Sequence, residues 1–507
     1  MIKSSIYYSK VLIKNPLFVF FTLFIFIYLF YTKDILNVSV FEFDKYFYYG
    51  FIISNLFFLI TASIAMNKSY KILDFFERSI IKKQLTILLA SMFVSVSISV
   101  IPIAFIMWFK NNSIDSETTA MGILHFIILW ILTNLLASTI GTSIGAIIKN
   151  SWSILVSLIF YSLFVWRSLS LKNMAFQKTL NIFDDNIRVV ANDLLGTVFN
   201  LQYFLDKLFV LLLILILISI VGLFSNIKKR MFYVVIALVC VISVVLTASY
   251  LIKTEQHFTF QYPSLNTDSY IITSYHMDVD FSNKLKNDIS LNIEVKENID
   301  RINLLLDNIF TIKGIEIDHS PVHYSFNNNR LTIHTALKKG ESVNINIAYE
   351  GTVFVNSDIG VPAFYTTKNA VNLPGNIFYW YPRKSNQEVS KFTIKTNSQS
   401  SLYSNLNEDS SNLYKGNTRY ASFFAGNYKK VHKNGVEYII PKSYHFDLFN
   451  ELLNQLSMEL SNEEYSIVEI EKIQNKEYKK VIVGVWPMHY KYFQLNDDTL
   501  VVGYIEF

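Results

Sequence analysis

MFYVVIALVCVISVVLTASYLIKTEQHFTFQYPSLNTDSYIITSYHMDVDF (Met231–Phe281) carries the chain from one solvent into another. Its first 22 residues, up to Ile252, contain no charge. A helix of ~20 apolar residues at ~1.5 Å rise crosses a ~30 Å hydrocarbon layer. From Tyr275 the pattern changes: Tyr275, Met277, Val279 and Phe281 are apolar, and His276, Asp278 and Asp280 stand between them. A period of two marks a strand with one face buried and one wet. The expected fold is therefore a membrane all-α helical bundle followed by a mostly-β, sandwich-like domain.

Towards the N-terminus, apolar runs recur at Asn15–Tyr31, Tyr46–Met66, Leu85–Phe109, Met121–Ile148, Ser151–Val165 and Leu208–Phe224, which with Met231–Ile252 makes seven expected spans. The first run has no small-residue cleavage site after it and reads as a retained helix. Ser151–Val165 is the shortest, with Arg167 placed to snorkel to the interface. Charge divides at the same boundary. Residues 1–252 hold 20 Lys/Arg against 11 Asp/Glu, and residues 253–507 hold 25 against 29, giving +9 and −4 within the overall +5. The basic excess thus belongs to membrane loops, and no basic stripe with interleaved aromatics points to nucleic acid. Lys/Arg concentrate in alternate loops: Lys3, Lys10 and Lys14; Lys68 to Lys83; Lys149; and Lys228 to Arg230. Positive loops stay cytoplasmic. With seven spans, the N-terminus is expected in the cytoplasm and the C-terminal domain outside a bacterial plasma membrane. Cys240, the sole cysteine, excludes disulfides and reads as a lipid-facing thiol.

Between the second and third runs, SYKILDFFERSIIKKQ (Ser69–Gln84) sets Ile72, Phe75, Phe76, Ile80 and Ile81 at helical spacing among charges. Such a segment equally suits a helix lying on the lipid surface. LLASTIGTSIGAIIKNSW (Leu135–Trp152) places Gly141, Ser143, Gly145 and Ala146 near the end of a run, where small residues let helices approach closely. The segment Val189–Leu205 has apolar pieces too interrupted to span. With the basic amphipathic N-terminus, these features resemble the permeases of ABC-2-type transporters over residues ~1–225. The resemblance implies that 69–84 is a coupling helix docking on a separate ATPase subunit. Ile72, Phe75 and Phe76 would be its apolar anchors, with Glu77 and Arg78 at the rim. It also implies helix packing through Gly141 and Gly145, and a dimer with the same or a sister permease. No G-x-x-x-x-G-K-[ST] occurs, so ATP and Mg would sit on the partner and no cofactor on this chain.

In the second half, strand-like segments are separated by turn signals at Asn327–Asn329 and Lys338–Gly340. Spacing of this kind suggests a β-sandwich. Leu305–Ile309, Gly314–Pro321, His323–Ile333 (HYSFNNNRLTI) and Leu337–Glu341 (LKKGE), followed by NIFYWYPR (Asn376–Arg383), Lys391–Asn397 and Tyr420–Val431, are similar in kind and order to the noncatalytic N-terminal β-domain of M1-family aminopeptidases over ~270–440. That family's H-E-x-x-H, which holds zinc and activates water, follows none of the nine histidines here, and its G-A-M-E-N loop is missing. The resemblance implies a binding domain without the enzyme's site, and no metal.

The expected organisation is 1–230 for a six-helix transmembrane domain, 231–252 for a seventh tethering helix, 253–440 for the β-domain and 441–507 for a small α/β segment. Phe378, Tyr379, Trp380 and Tyr381 are the candidate outer ligand surface, sandwich packing being the alternative. His276, His319, His323 and His334 read as surface or turn histidines rather than a metal set. His125, inside a span, is an intramembrane ionisable group and a functional candidate, an interfacial position near the helix start being the alternative. The function expected is a permease subunit of an ATP-driven exporter of peptides or other amphipathic compounds, not itself an enzyme. The alternatives are a membrane-anchored interaction or sensor module, and an inactive remnant of a membrane-bound M1 peptidase.

Overall fold

A computed structural model describes residues 2–33, 43, 47–67, 79–110, 116–148, 150–170, 194–195, 199, 201–225, 229–254, 256–257, 268–356, 362–397, 401–442, 446–458, 460, 467–484, 493–496 and 498–503. They form two units, Met1–Ala191 with Gly196–Glu255, and Asn192–Leu195 with Gln256–Phe507.

The first unit is helical. α1 (Ile2–Ile13) buries Ser5, Tyr8 and Leu12 along one side while Lys3 and Lys10 stay exposed. The chain then bends by 69° into α2 (Pro16–Tyr31). Asn15 caps α2, its Oδ1 accepting the Leu17 N–H at 3.0 Å, and Pro16 fits the first turn because its missing N–H is not needed there. α3 (Tyr48–Asn67), α4 (Ile80–Phe109), α5 (Ser116–Ile147), α6 (Trp152–Ser170), α7 (Leu201–Ser225) and α8 (Arg230–Thr254) follow.

Helices α2–α8 thus occupy the seven apolar runs, but among the described residues five are long and apolar enough to cross a membrane: α3, α4, α5, α7 and α8. Counting α1 and α2 as one bent span makes six. α2 has 16 residues, about 24 Å of helix, and falls short of ~30 Å on its own; the described apolar stretch of α6 is Trp152–Trp166. α8 exposes Phe232, Val235, Leu238, Val239, Ile242 and Leu246, as a lipid-facing helix does. Cys240 differs from expectation: at 5% exposure it is packed against protein, not turned to lipid.

The second unit is built on an eight-stranded sheet in the order Asn407–Ser410, Leu413–Thr418, Ser390–Thr396, Tyr270–Asp280, Leu285–Val295, Ser342–Gly351, Thr311–Ile317 and Ser320–Pro321. A bulge between Ile272 and Ser274 sets the phase of Tyr270–Asp280. Beyond it Tyr275, Met277 and Val279 face the core, with Leu291 and Ile289 from the neighbouring strand. A six-stranded sheet (Gln256–His257, Phe354–Asn356, Pro362–Thr366, Val371–Leu373, Phe423–Ala425, Tyr403–Ser404) and a three-stranded one (Ile299–Leu305, Arg330–Leu337, Tyr324–Asn327) complete the β part. Asn328 and Asn329 both take positive φ (49° and 60°), the pair a tight hairpin needs.

The C-terminal part is α/β. Tyr428–Lys433, Val436–Pro441, Lys480–Gly484, Thr499–Gly503 and Phe493–Asn496 form one sheet with two parallel pairings, accompanied by α9 (Phe446–Met458) and α10 (Ile467–Gln474). This sheet starts at Tyr428, ahead of the boundary expected at 440. Leu194 also belongs to the second unit. It is 1% exposed among Tyr365, Phe424, Ile482 and Val501, and its carbonyl accepts the Asn427 N–H at 3.1 Å.

Candidate functional site

Transmembrane-length helices gain little by burying polar side chains, since lipid cannot return the lost hydrogen bonds. The helical unit nevertheless buries many of them between helices. Asn134 of α5 is 1% exposed; its Oδ1 accepts from Ser54 Oγ of α3 at 2.7 Å and its Nδ2 donates to Ser95 Oγ of α4 at 3.0 Å. One turn away, Trp130 Nε1 donates to the Ser95 carbonyl at 3.0 Å. Gln84 of α4 donates through Nε2 to Thr142 and Ser143 of α5 at 3.2 and 3.1 Å. Tyr8 of α1 donates to the Thr61 carbonyl of α3 at 3.1 Å, so the amphipathic helix is held by a polar bond as well as by Leu12.

The ionisable part of this seam joins α5 and α7. His125 Nδ1 lies 2.9 Å from the Tyr203 hydroxyl, and Lys207 Nζ stands 4.9 Å from the centre of the Tyr203 ring and 3.3 Å from Asp206. His125 and Lys207 are 3% and 7% exposed. Pairing and cation–π contact offset the desolvation that such groups suffer. The arrangement supplies hydrogen-bond donors and acceptors through the interior of a bundle whose outer face is apolar. Each interhelical bond is worth only ~0.6 kcal/mol on average, weak enough to be exchanged when helices move or a polar solute enters.

Gly141 and Gly145 lie where α5 meets α3. A Cβ at Gly141 would run into the Leu59 carbonyl, and one at Gly145 would stand 2.9 Å from the Ser63 carbonyl. Ile72, Phe75, Phe76, Glu77 and Arg78 lie outside the described residues. The aromatic string needs correction as a ligand surface. Phe378, Trp380 and Tyr381 are fully buried. Phe378 stacks on Phe364 at 4.7 Å, Trp380 Nε1 donates to the Ala421 carbonyl, and the Tyr381 hydroxyl accepts the Ala421 N–H, both at 3.1 Å. Tyr379 alone of the four is partly exposed, with the buried Arg383 guanidinium 3.8 Å above its ring. The string is core, because its apolar area outweighs its polar tips and each tip finds a backbone partner. Among the described residues no three His, Cys, Asp or Glu side chains converge to hold a metal.

Sequence reasoning singled out His125 and missed Asn134, Gln84, Tyr203 and Lys207. The available signal was single polar residues inside apolar windows, such as Asn134 in ILWILTNLLAS.

No protein-family model matches the chain, and no curated protein matches it. Among solved structures it is similar to the M1 zinc metallopeptidase from Deinococcus radiodurans, at 12% identity and a TM-score of 0.33, over 47% of this chain and 61% of that one. It is also similar to leukotriene A4 hydrolase from Saccharomyces cerevisiae, at 12% identity and a TM-score of 0.30, over 48% and 43%. The chain therefore spans about three fifths of the length of the Deinococcus enzyme.

Proposed function

We propose that this chain is the membrane-spanning subunit of an ATP-driven exporter, its cargo peptides or other amphipathic compounds. The observation that carries the reading is the buried polar seam through Asn134, Gln84, His125 and Lys207. A helical unit that merely anchored a β-domain needs one apolar helix and no polar interior, since polar burial in a membrane costs stability unless function retains it. The seam therefore favours transport over an anchored interaction or sensor module.

ATP and Mg are bound by partner ATPase subunits, which dock on the coupling segment through Ile72, Phe75 and Phe76, with Glu77 and Arg78 at the rim. A second permease, identical or a sister chain, completes the transport path. The seven apolar helices all serve as spans, the shorter α2 and α6 extended by flanking residues at the interface. The N-terminus is cytoplasmic, and the β-unit lies outside a bacterial plasma membrane, where it handles substrate or a partner. It has no catalytic role and binds no metal.

The test is affinity purification of the full chain from membranes. An ATP-hydrolysing subunit should co-purify, and Phe75→Asp with Phe76→Asp should release it. Absence of any such subunit, together with cargo-independent ATP hydrolysis in the membranes, overturns the proposal. Sidedness is read separately: in a Cys240→Ala background, Asn327→Cys should react with an impermeant maleimide added to intact cells.

A further inference from the structure

The second unit contains a cleft of about 480 Å³ bordered by Tyr403, Glu408, Tyr414, Lys430, Glu437 and Lys480. Its volume lies within the ~300–1,000 Å³ range of small-ligand sites. Two sheet edges meet there: Tyr403–Ser404 is the last strand of the six-stranded sheet, and Asn407–Ser410 the last of the eight-stranded one. At the first of these edges the main-chain carbonyls of Leu402 and Ser404 already accept from Tyr414 and Lys480, so recognition there falls to side chains.

The charges are arranged in two kinds. The Lys480 ammonium, mostly withdrawn from water, donates to the Ser404 carbonyl at 3.0 Å and has no ion-pair partner among the described residues. Burial holds its pKa below the ordinary lysine value, so a negative group brought beside it would be stabilised. Lys430 stands 5.4 Å from the centre of the Tyr403 ring and 3.3 Å from Glu437. Two carboxylates, Glu437 and Glu408, share the cleft with the two ammonium groups. A dianion such as phosphate would meet repulsion from both; a ligand carrying one charge of each sign would not.

We infer that this cleft binds a short peptide with free ends, its terminal carboxylate at Lys480 and Lys430 and its terminal ammonium at Glu437 and Glu408. The lining is mostly polar; Leu402, Tyr414 and Ile439 back it from the core, and the partly exposed Tyr403 ring is the aromatic surface a peptide would meet. The assignment stands apart from the transport reading, because it requires neither an ATPase nor passage through the helices.

The test is calorimetric titration of the full chain in lipid nanodiscs with the tripeptide Ala-Leu-Ala. The free acid should bind, and its C-terminal amide should bind about tenfold more weakly, as loss of a charge-assisted bond predicts. Lys480→Gln should weaken the free acid about tenfold with an unchanged unfolding temperature. Inorganic phosphate should not displace the peptide. Equal binding of acid and amide to the unaltered chain overturns the inference even if Lys480→Gln fails to fold. So does full affinity in a folded Lys480→Gln, displacement by phosphate, or no binding at millimolar peptide.

Discussion

Replacing Asn134 by Leu removes two interhelical hydrogen bonds at once, from Ser54 at 2.7 Å and to Ser95 at 3.0 Å. At ~0.6 kcal/mol each, the bonds account for about 1.2 kcal/mol. Leaving two hydroxyls without their partner at sites that are 0% and 1% exposed adds to this. Serine can bond back to the carbonyl one turn earlier, which limits the addition; a total of about 1–3 kcal/mol follows. For a unit of this size, ~1 kcal/mol moves the midpoint by roughly 2–4 °C, so a fall of about 2–12 °C is expected. Tryptophan fluorescence during heating of the full chain in detergent reads this, with Trp130 one turn from the substitution and bonded to the Ser95 carbonyl. Adding Ser54→Ala and Ser95→Ala should restore most of the midpoint, since removing all partners of a bond costs less than stranding one. A single variant that melts with the unaltered chain, or a triple variant no more stable than the single, refutes the reasoning. If the seam serves transport, the restored triple variant should still transport poorly; wild-type transport by it would count against the seam as a path.

Three further outcomes are expected. Gly141→Leu should lower the same melting midpoint, overpacking against the Leu59 carbonyl costing ~1–3 kcal/mol, whereas Gly314→Ala, with open space at its Cβ, should change it little. Trp380→Ala should destabilise the β-unit by ~3–5 kcal/mol, read by proteolysis of the full chain, because it removes a fully buried indole and its bond to Ala421. Glu350 accepts from Lys284 and Lys313, both at 2.7 Å, and these hold its pKa down at about 2. A carboxyl depressed in the folded state stabilises above its unfolded pKa of ~4.3 and loses that contribution as pH falls towards 2. Glu350→Gln should therefore be less stable than the unaltered chain at neutral pH, with the difference vanishing on acidification through that window. A difference independent of pH would contradict the ion-pair assignment.

Much of the fold is legible because the relevant signals are local. A 22-residue uncharged run, the alternation from Tyr275 and paired asparagines at 328–329 each state a backbone geometry without reference to the rest of the chain. The site is less legible because it depends on which way a side chain faces. Asn134 announces itself by type, but its partners lie 80 and 39 positions away on other helices. In the β-unit, NIFYWYPR gives no period from which Trp380 and Tyr381 can be told from the half-exposed Tyr379. Their burial follows from the Ala421 backbone, a contact 40 residues distant from Tyr381. The lipid-facing reading of Cys240 failed in the same way: hydropathy states that a helix is apolar, not which of its faces is covered.

Leu194 bears on the proposed orientation in a way that counting spans does not. Its carbonyl is the reason residue 426 is glycine: any Cβ there would strike it, and Gly426 also holds φ at +143°. Leu194 is thus packed into the β-containing unit, although it precedes Gln256 by two whole helices. Those helices, α7 and α8, are both long and apolar enough to cross. If each crosses once, the chain leaves and returns between Leu195 and Gln256, and both lie on the same side of the membrane however many spans come before. The proposed orientation then no longer rests on five spans or seven. It rests on the short connection between α7 and α8, which carries Lys228, Lys229 and Arg230. Under the proposed orientation that short basic loop is the cytoplasmic one, and reading its sidedness tests the proposal without any count of the earlier spans.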